Sequence, residues 1–347
     1  MKVNQRQIAA ELGISQTAVS MVVNNPTTAK VSGEKRHRIL EYLRQTNYLL
    51  YHHGGKTWNI GYLLESSMDI NDPFYNRFFN GIVRGAEDAE YSVIVEPLRD
   101  TATKLLSRSK VDGLIIETTP DALERASVPL DIPVVMLNNC ASENHYDAVM
   151  PDNAGGMFQA IKYLHDCGHH HIAYLGLRPP HYRYYANIAE RLNAFRNAFE
   201  FYFATSQHDA YISTKNVAAS NAVSTEAAIA SALSDWMKLP EPPTAVVCHN
   251  DYYALTLLKI ATAAGLRIPE DLSVIGTDNT AKCEYSIPPL TSVDHNGTAM
   301  GRLAVELLVK RIQDPSRETV RMSCNSQLVI RNSTGPVTRR SNHNHQE

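Results

Sequence analysis

Histidine and cysteine are concentrated in one short stretch of the sequence, at His165, Cys167, His169, His170 and His171. Imidazole and thiolate are ligands that Zn²⁺ prefers, so a metal site is the first chemistry to consider. The stretch spans a predicted loop, however, and the five cysteines of the chain lie tens of residues apart without a CxxC pair. We therefore expect reduced thiols and packing histidines, with no metal site, disulfide scaffold or zinc ribbon.

A second candidate for chemistry is the segment GGKT at 54–57, which matches the end of a phosphate-binding loop. The full pattern requires a glycine at position 50 and a preceding strand, and Leu50 stands there instead. The sequence also lacks GxSxG, GxGxxG and HExxH motifs, and it offers no pair of acidic residues with a defensible acid and base role. It therefore predicts a binding protein that is not an enzyme and needs no cofactor.

The size and composition of the chain set the number of domains and the compartment. The chain has 347 residues, of which 44% are hydrophobic and 20% charged, and a domain usually takes about 100–200 residues. At least two domains are expected. The chain has no uncharged apolar run of about 18 residues, and its first residues are polar and include Lys2, Arg6 and Glu11. We expect a cytoplasmic protein without contact with a membrane.

The charge is distributed unevenly along the chain. Residues 1–60 contain eight lysines and arginines against three acidic residues, a net charge of +5, whereas the remainder carries −8. A small basic head joined to a larger acidic body indicates a polyanionic partner for the head. A solvated helix face rich in lysine and arginine would have the same composition, so charge alone leaves both possibilities open.

The spacing of apolar residues in the basic head predicts three short helices. Ile8, Ala9 and Leu12 lie on one face at helical spacing, Gly13 allows a tight turn, and Ser15 is a candidate N-cap for a second helix. That helix would bury Val19, Val22 and Val23, and a third helix after Ser32 would bury Ile39, Leu40 and Leu43 with Lys35, Arg36, Arg38 and Arg44 outward. Such a unit could offer its second helix to a DNA major groove, and a three-helix module that docks a protein is the alternative.

The head also resembles a known family. IAAELGISQTAVSMVVNN, followed by VS before the basic helix and by Asn47 and Tyr48, is similar to the DNA-binding head of the LacI/GalR family of bacterial transcription regulators. The resemblance implies that base edges are contacted by Gln16, Thr17 and Met21, and the phosphate backbone by Ser15, Ser20 and Asn24. The family commonly has arginine where Met21 stands. Methionine offers only apolar contact, for instance to a thymine methyl, so the operator should differ accordingly.

The segment after the head departs from the family pattern. Members usually have a proline and then a short hinge helix, with an Ala-Arg-x-Leu core whose leucine inserts into the minor groove. This chain has LLYHHGGKTWNIG instead, and Gly54 and Gly55 each cost a helix about 1 kcal/mol relative to alanine. We therefore expect neither a hinge helix nor leucine intercalation here.

From Asn59 onward, short apolar runs such as IGYLLE, SVIVEP, DGLIIETT and IPVVMLNN alternate with helical stretches. Continuously apolar strands separated by helices indicate parallel sheets covered on both faces. Because the remaining 270 or so residues exceed one such sheet, two α/β lobes are expected. Ligands of open α/β sheets bind beyond the carboxyl ends of the strands, so the residues just after these runs should line a cleft.

These segments resemble the effector domain of the same family, whose fold is that of periplasmic sugar-binding proteins. The similarity covers nearly the whole chain and includes DPFYNRFFNGI, DNAGG, IGTDN, IPPLTSVDHN and the helix GRLAVELLVKRI. It implies that this last helix returns to the first lobe and that the strand QLVIR returns to the second. Three crossings would then form a hinge.

The resemblance further implies an effector pocket between the lobes. Arg191, Asn250 and Asp278 would converge there, with Phe74 and Tyr75 packing from the first lobe. A guanidinium, an amide and a carboxylate supply directed donors and acceptors that suit a neutral polyol. Each residue has a plainer alternative: a surface helix residue for Arg191, a cap for Asn250 or Asp278, and simple core for the two aromatic residues.

Together these patterns predict an all-α helix-turn-helix head (1–48), a linker (49–58), an α/β two-lobed periplasmic-binding-protein-like effector domain (59–335) and a disordered tail (336–347). The predicted function is that of a sequence-specific DNA-binding transcriptional regulator, a repressor under the allosteric control of a small sugar-like effector. A homodimer would place two heads on an imperfect palindrome of double-stranded DNA. The alternative from another class is the solute-binding protein of a sugar transporter, which shares the body fold.

Overall fold

The computed structural model describes residues 4–24, 30–45, 56–65, 72–98, 111–117, 132–140, 146–178, 186–204, 209–216 and 222–337. Most of the predicted linker, at 49–55, and most of the predicted tail, at 338–347, lie outside these ranges. The expected absence of a hinge helix therefore stays a prediction.

The head consists of the three predicted helices, α1 (Gln5–Leu12), α2 (Gln16–Asn24) and α3 (Gly33–Gln45). Asn4 begins α1 with a capping box, in which its side chain accepts from the Gln7 amide while the Gln7 side chain accepts from the Asn4 amide. Gly13 ends α1 in the left-handed conformation at φ 62°, which glycine adopts without a steric penalty. The sequence signals for the turn between α1 and α2 are thus confirmed.

One apolar core holds the three head helices together. It contains most of the side chains predicted to point inward, and Val31 from the connection in addition. Leu12 and Leu40 are only half-buried at its margin. The fully buried members are Ile8, Val19, Val22 and Ile39, with Leu43 at 1% exposure. Each of the three helices contributes side chains to this core, so a unit this small can still bury one continuous apolar cluster.

The body alternates strands and helices along the chain, as predicted. In chain order it contains β1 (Asn59–Glu65), α4 (Pro73–Asp88), β2 (Ser92–Leu98), β3 (Gly113–Glu117), β4 (Val134–Leu137), β5 (Asp147–Pro151), α5 (Asn153–Asp166), β6 (Ile172–Arg178), α6 (Ala186–Phe203), β7 (Ile212–Asn216), α7 (Ala222–Trp236), β8 (Ala245–Cys248), α8 (Asp251–Ala263), β9 (Ser273–Thr277), α9 (Lys282–Tyr285), β10 (Thr291–Asp294), α10 (Gly297–Gln313), β11 (Arg321–Cys324) and β12 (Gln327–Val329). The runs DAVMP, ISTKN, TSVD and RMSC form strands that we did not predict.

Two six-stranded sheets build two lobes. The first has the strand order β11-β5-β4-β3-β1-β2 and the second β12-β10-β9-β8-β6-β7. All neighbouring strands are parallel except β12, which pairs antiparallel with β10. Strands β3, β4, β8 and β9 are buried along their whole length, which is the pattern of parallel strands covered on both faces. The predicted two-lobed α/β architecture is confirmed.

Helix α10 packs against α4 on the first lobe at very short range. A Cβ added at Gly81 would lie 2.1 Å from the carbonyl oxygen of Thr298, and one at Gly301 would lie 2.3 Å from that of Phe78. Only glycine fits at these two positions, because the backbones of the helices touch there. The predicted return of the last helix to the first lobe is confirmed.

The chain crosses between the lobes three times, and each crossing leaves the carboxyl end of a strand. The crossings follow β5, β10 and β11, and they enter α5, α10 and β12. Asp152 donates its amide to the carbonyl of Cys324 at 2.9 Å, which joins the first crossing to the third. His295 bonds Ser326 Oγ through Nδ1 at 2.7 Å, which joins the second to the third. The carboxyl ends of both sheets therefore face each other across this hinge.

Within the described residues, no helix combines the length and the apolar character needed to span a lipid bilayer.

Candidate functional site

Helix α2 of the head presents polar side chains on its outer face. Gln16 and Thr17 are exposed, Met21 is 37% exposed, and Ser20 is half-buried. The hydroxyl of Ser15 accepts from the amide of Ala18 at 3.2 Å, so Ser15 is the N-cap of α2, as the sequence indicated. The side chain of Asn24 lies outside the described part of the chain. The predicted base-contacting residues therefore share one accessible helix, which the buried valines of its other face hold in place.

The head also exposes basic side chains outside this helix. Arg6, Lys30 and Lys35 are exposed. Arg38 is exposed as well, and its guanidinium donates to the carbonyl of Leu12 at 2.9 Å, which ties α3 to the end of α1. Arg38 thus satisfies an orphan carbonyl of the helix end in addition to adding positive charge.

Arg191 is buried in the second lobe, at 3% exposure, and the alternative of a surface residue on α6 is excluded. Its Nε donates to Oδ1 of Asn153 at 2.9 Å, and one terminal nitrogen donates to the carbonyl of His249 at 2.7 Å. The other terminal nitrogen donates to Oδ1 of Asp278 at 3.2 Å. One guanidinium therefore joins the first crossing to the carboxyl ends of β8 and β9.

Asp278 and Asn250 follow β9 and β8 and take different roles. Asp278 has a φ of 105°, in the left-handed region that is unfavourable for a residue with a Cβ. This conformation accompanies its contact with Arg191. Asn250 accepts from the amide of Tyr253 at 2.9 Å and caps α8. The structure thus brings Arg191 and Asp278 together, while the Asn250 side-chain oxygen serves as the helix cap that we weighed as its alternative.

Burial governs the charges of this cluster. Burial raises the pKa of Asp278, although the guanidinium of Arg191 opposes the rise. Burial also lowers the pKa of His249 and His295 well below the usual value, and the positive charge of Arg191 lowers both further. Both imidazoles are neutral at pH 7. Arg191 therefore supplies the positive charge at this edge of the second lobe, and its partner Asp278 has a pKa of about 7.

Neutral His295 has one nitrogen without a partner. Its Nδ1 bonds Ser326, whereas its Nε2 is buried and has no hydrogen-bond partner among the described residues. A buried polar atom that lacks a partner costs roughly 1–3 kcal/mol. Because Arg191 and Arg77 are among the charges that shift the pKa of His295, this nitrogen lies near the same cluster, where a polar ligand atom would satisfy it.

The first turn of α4 extends from the first lobe to this cluster. Arg77 forms an ion pair with Asp294 at 2.8 Å and donates to the carbonyl of Asp278 at 2.9 Å. Phe74 and Tyr75 lie in the same turn, half-buried, with their rings in an edge contact at 5.1 Å. Both also pack at the margin of the first lobe's core. Each ring therefore contributes in part to the core, as the plainer alternative predicted.

A second buried polar group lies at the carboxyl ends of the first-lobe strands. Glu117, the last residue of β3, is 1% exposed. Its carboxylate accepts from the hydroxyl of Tyr62 at 2.8 Å and from Nδ2 of Asn138 at 3.1 Å. Burial raises the pKa of Glu117 to about 8, although both hydrogen bonds lower it. Tyr75 is close enough to Tyr62 to influence its ionisation, which connects this group to the first turn of α4.

The histidine and cysteine stretch is engaged in packing. His169 bonds the hydroxyl of Thr244 at 2.8 Å and the carbonyl of Gly335 at 3.0 Å. His165 and His170 both contact the ring of Phe203, with centroid distances of 5.2 and 6.0 Å. These contacts tie the end of α5 to α6 and to the C-terminal segment.

Four residues of this arrangement escaped the sequence analysis: Arg77, Glu117, Asn153 and His295. Glu117 was detectable in principle, since it is a charged residue at the end of an otherwise apolar strand, where ligand contacts are expected. Asn153 lies in the segment DNAGG, Arg77 in DPFYNRFFNGI and His295 in IPPLTSVDHN. Their positions depend on which strand ends face each other, and single-strand patterns do not contain that information.

Comparison with known proteins agrees with this architecture. Residues 161–334 match the family model described as "Periplasmic binding protein-like domain". The chain is 30% identical to the HTH-type transcriptional repressor CytR of Escherichia coli strain K12 over 95% of each chain. It is 29% identical to the HTH-type transcriptional repressor PurR of Vibrio cholerae serotype O1 strain M66-2, over 96% of this chain and 98% of the repressor.

A solved structure shows the same similarity. A LacI family transcriptional regulator from Enterococcus faecium with bound ribose matches with a TM-score of 0.65 and 26% identity, covering 81% of this chain and 100% of that one. The head, the two sheets and the three crossings are thus those expected from the resemblance. The chain belongs to the LacI family of transcriptional regulators.

Proposed function

We propose that this protein represses transcription by binding an imperfectly palindromic operator as a homodimer, and that a small sugar-like effector held between the two lobes controls this binding. Membership of the family supports transcriptional regulation. The solute-binding alternative is not supported, because the relatives that match nearly the whole chain are repressors. The observation that carries the proposal is the pairing of an accessible polar helix on a basic head with a buried Arg191–Asp278 pair between the lobes.

On the DNA side, Gln16, Thr17 and Met21 are the proposed base contacts, and Ser15, Ser20 and Asn24 the proposed phosphate contacts. The first set is exposed on α2, and a recognition helix enters the major groove with such side chains. The exposed lysines and arginines of the head would supply the salt-dependent attraction to phosphate. We assign the head to 1–48, the linker to 49–58, the body to 59–335 and the tail to 336–347.

The dimer is proposed from apolar side chains exposed on the second lobe. Tyr285 is 82% exposed and Ile287 is 92% exposed, and Tyr252 is 49% exposed on α8. These residues are near each other because the carboxylate of Asp251 accepts from the thiol of Cys283 at 3.0 Å, which joins the start of α8 to α9. An exposed apolar patch marks an interaction surface, and a two-fold dimer would bury the same patch on both protomers.

The effector is proposed to act through the angle between the lobes. A ligand that contacts both lobes favours one angle, and it changes DNA affinity only as far as it prefers one state. Arg191, Asn250 and Asp278 from the second lobe, with Phe74 and Tyr75 from the first, are the proposed effector contacts. The ribose bound to the Enterococcus faecium relative supports a sugar-like ligand here.

Selection from a random duplex pool with the full-length protein, followed by fluorescence anisotropy at several salt concentrations, tests the DNA function. The selected duplex should bind about 10³-fold or more tightly than a scrambled one. The double change Gln16→Ala, Thr17→Ala should remove that preference and retain non-specific binding. Lys238→Ala, an exposed residue of the body, is the control that should change neither. A failure to enrich any duplex, or an equal loss of both kinds of binding in the double variant, would count against the proposal.

A further inference from the structure

Glu117 is a buried carboxyl group without a cationic partner among the described residues. It is 1% exposed, and the described groups that bond it are the neutral hydroxyl of Tyr62 and the neutral amide of Asn138. No lysine or arginine among the described residues contributes to its charge balance. A buried carboxylate normally pairs with a cation, since an unpaired buried charge is costly.

The backbone is arranged to present this carboxyl group. Asn138 directly follows β4 with a φ of 61°, a left-handed conformation that asparagine tolerates better than most residues. Its amide nitrogen thereby reaches Oε1 of Glu117, while the Tyr62 hydroxyl reaches Oε2. In the ionised form, each oxygen accepts one hydrogen bond and keeps capacity for a second, because a carboxylate has about four acceptor positions.

Aromatic rings lie next to Tyr62, which bonds this carboxyl group. The ring of Tyr62 stacks on Phe79 with centroids 6.2 Å apart and an interplanar angle of 11°. Tyr75 lies close enough to Tyr62 to influence its ionisation, and Phe74 contacts Tyr75 edge-on. Aromatic faces attract cations, so rings on this side of the cleft favour a ligand with a positively charged group.

On the opposite wall, at the carboxyl ends of the second-lobe strands, each arginine has a carboxyl partner. Arg191 pairs with Asp278 and Arg77 pairs with Asp294, and the neutral His295 keeps a buried Nε2 without a partner among the described residues. This wall suits hydroxyl groups, whereas the Glu117 wall carries acceptors without a cation. A ligand that satisfies both walls needs neutral hydroxyls at one end and a positively charged donor at the other.

We propose that the effector of this protein is a small polyhydroxylated molecule with a protonated amino group, and that Glu117 and the rings around it bind the ammonium group. The inference rests on the effector function proposed above and narrows its ligand class. Glu117 and Tyr62 are specificity-determining residues of this site. Without a ligand this buried carboxyl group keeps its proton at neutral pH, and a bound ammonium group stabilises the ionised form. The Tyr62 hydroxyl then orients the carboxylate, and the ammonium group takes the remaining acceptor positions.

Matched pairs of amine and hydroxyl compounds test the proposal: glucosamine with glucose, galactosamine with galactose, mannosamine with mannose, and 1-amino-1-deoxysorbitol with sorbitol. The melting temperature of the full-length protein is measured with each compound, because a ligand selective for the folded state raises it by mass action. At least one amine should raise the melting temperature more than its hydroxyl counterpart. N-acetylation of that amine, which removes its charge, should abolish the difference.

Variants then locate the amine contact. In calorimetric titration, Glu117→Gln should weaken the affinity for the amine at least tenfold. The affinity for its hydroxyl counterpart should stay within twofold. Glu87→Gln, which removes an exposed carboxylate from the same lobe, is the matched control and should change neither affinity. Tyr62→Phe should weaken the amine less than Glu117→Gln does.

The proposal is overturned if no amine in the panel exceeds its hydroxyl counterpart, or if Glu117→Gln leaves the amine preference intact. Stabilisation by a neutral sugar alone would overturn the amine inference and support a sugar-like effector. Loss of duplex selection in the separate DNA experiment would instead bear on the regulator function, so the two failures are distinguishable.

Discussion

One terminal nitrogen of Arg77 donates to both carboxylate oxygens of Asp294, at 2.8 and 2.9 Å, and so links the first lobe to the carboxyl end of β10. The other terminal nitrogen donates to the carbonyls of Asp278 and Asn279. Burial alone would raise the pKa of Asp294, but the hydrogen bonds from Arg77 and Asn279 outweigh it and lower the pKa. Because Asp278 is also the partner of Arg191, the contact between the lobes and the proposed pocket share a residue.

The first prediction concerns this contact. Arg77→Ala should lower the free energy of unfolding by about 1–3 kcal/mol, since hydrogen bonds to charged groups contribute about that much. It should also change the effector's effect on operator affinity by about fivefold or more, the lower end of typical coupling energies. Arg77→Lys keeps the charge without the planar guanidinium group, so both its stability and its coupling should lie between those of the unaltered protein and of Arg77→Ala. Urea unfolding and operator titration with and without effector measure both quantities, and unaltered coupling in Arg77→Ala would refute the link.

The second prediction concerns the buried pair. Arg191→Ala leaves Asp278 buried without its partner and should cost about 3–5 kcal/mol in unfolding free energy. The double change Arg191→Met, Asp278→Asn removes both charges and should recover part of that loss, measured by urea unfolding. Asp278→Asn alone should weaken effector binding at least tenfold in a folded protein. If the double variant were no more stable than Arg191→Ala, the pair would not explain the loss.

The third prediction is a pH dependence of stability that Glu117 contributes. Burial raises the pKa of Glu117 to about 8 from an ordinary value of 4.5, so the folded state holds this proton more tightly than the unfolded state. Between these two values the unfolding free energy should fall with rising pH, by at most about 1.4 kcal/mol per pH unit from this group. Below about pH 4 both states are protonated, so Glu117 adds no pH dependence to the unfolding free energy there.

Glu117→Gln removes this titration. Relative to the unaltered protein, its unfolding free energy should increase steadily from pH 5 to pH 8, because glutamine carries no charge. Its one acceptor oxygen can keep the bond from Asn138, and its amide nitrogen can donate to the Tyr62 hydroxyl. Tyr62 and Asn138 are the described residues that bond the carboxyl group, and neither titrates in this range. Urea unfolding at four pH values measures the difference, and a constant difference across the range would show that Glu117 does not titrate there.

The fold was accessible from sequence because its signals are local. Short apolar runs such as VVML in β4 are typical of buried strands of a covered sheet, and the valines of α2 recur at helical spacing. RMSC in β11 escaped prediction because it is an exposed edge strand without an apolar pattern. Its place beside β5 is set by pairing with a segment about 170 residues earlier in the chain.

The candidate site was accessible only in part. Family similarity indicated Arg191 and Asp278, and the structure joins them through one hydrogen bond. The partners Asn153 and Arg77 could not be inferred, because they meet the pair only where the chain crosses between lobes. Glu117 escaped because one acidic residue at a strand end is also typical of a solvent-exposed terminus. Its burial follows from the neighbouring strands and the inward turn at Asn138.

The fourth prediction concerns the dimer. Tyr285→Glu with Ile287→Glu places two charges on the exposed apolar patch and should shift the protein from dimer to monomer in sedimentation experiments. Both side chains are exposed in the single chain, so the free energy of unfolding of the monomer should change by less than about 0.5 kcal/mol. Operator affinity should fall strongly, since two linked heads bind with a higher effective concentration than one. Phe201→Glu, on a different exposed surface, is the control that should remain dimeric.

The last prediction concerns Met21. Its side chain is 37% exposed on α2 and has no hydrogen-bond donor, so its contribution to base recognition is apolar contact. Met21→Arg supplies a guanidinium that can donate two hydrogen bonds to a guanine edge, and a good pair of this kind discriminates between bases by about 1–3 kcal/mol. Selection with this variant should therefore enrich guanine at one symmetric position of each half-site and leave the other positions unchanged. A uniform gain in affinity for all duplexes would mean that the added charge contacts phosphate, and Met21 would then have no role in reading bases.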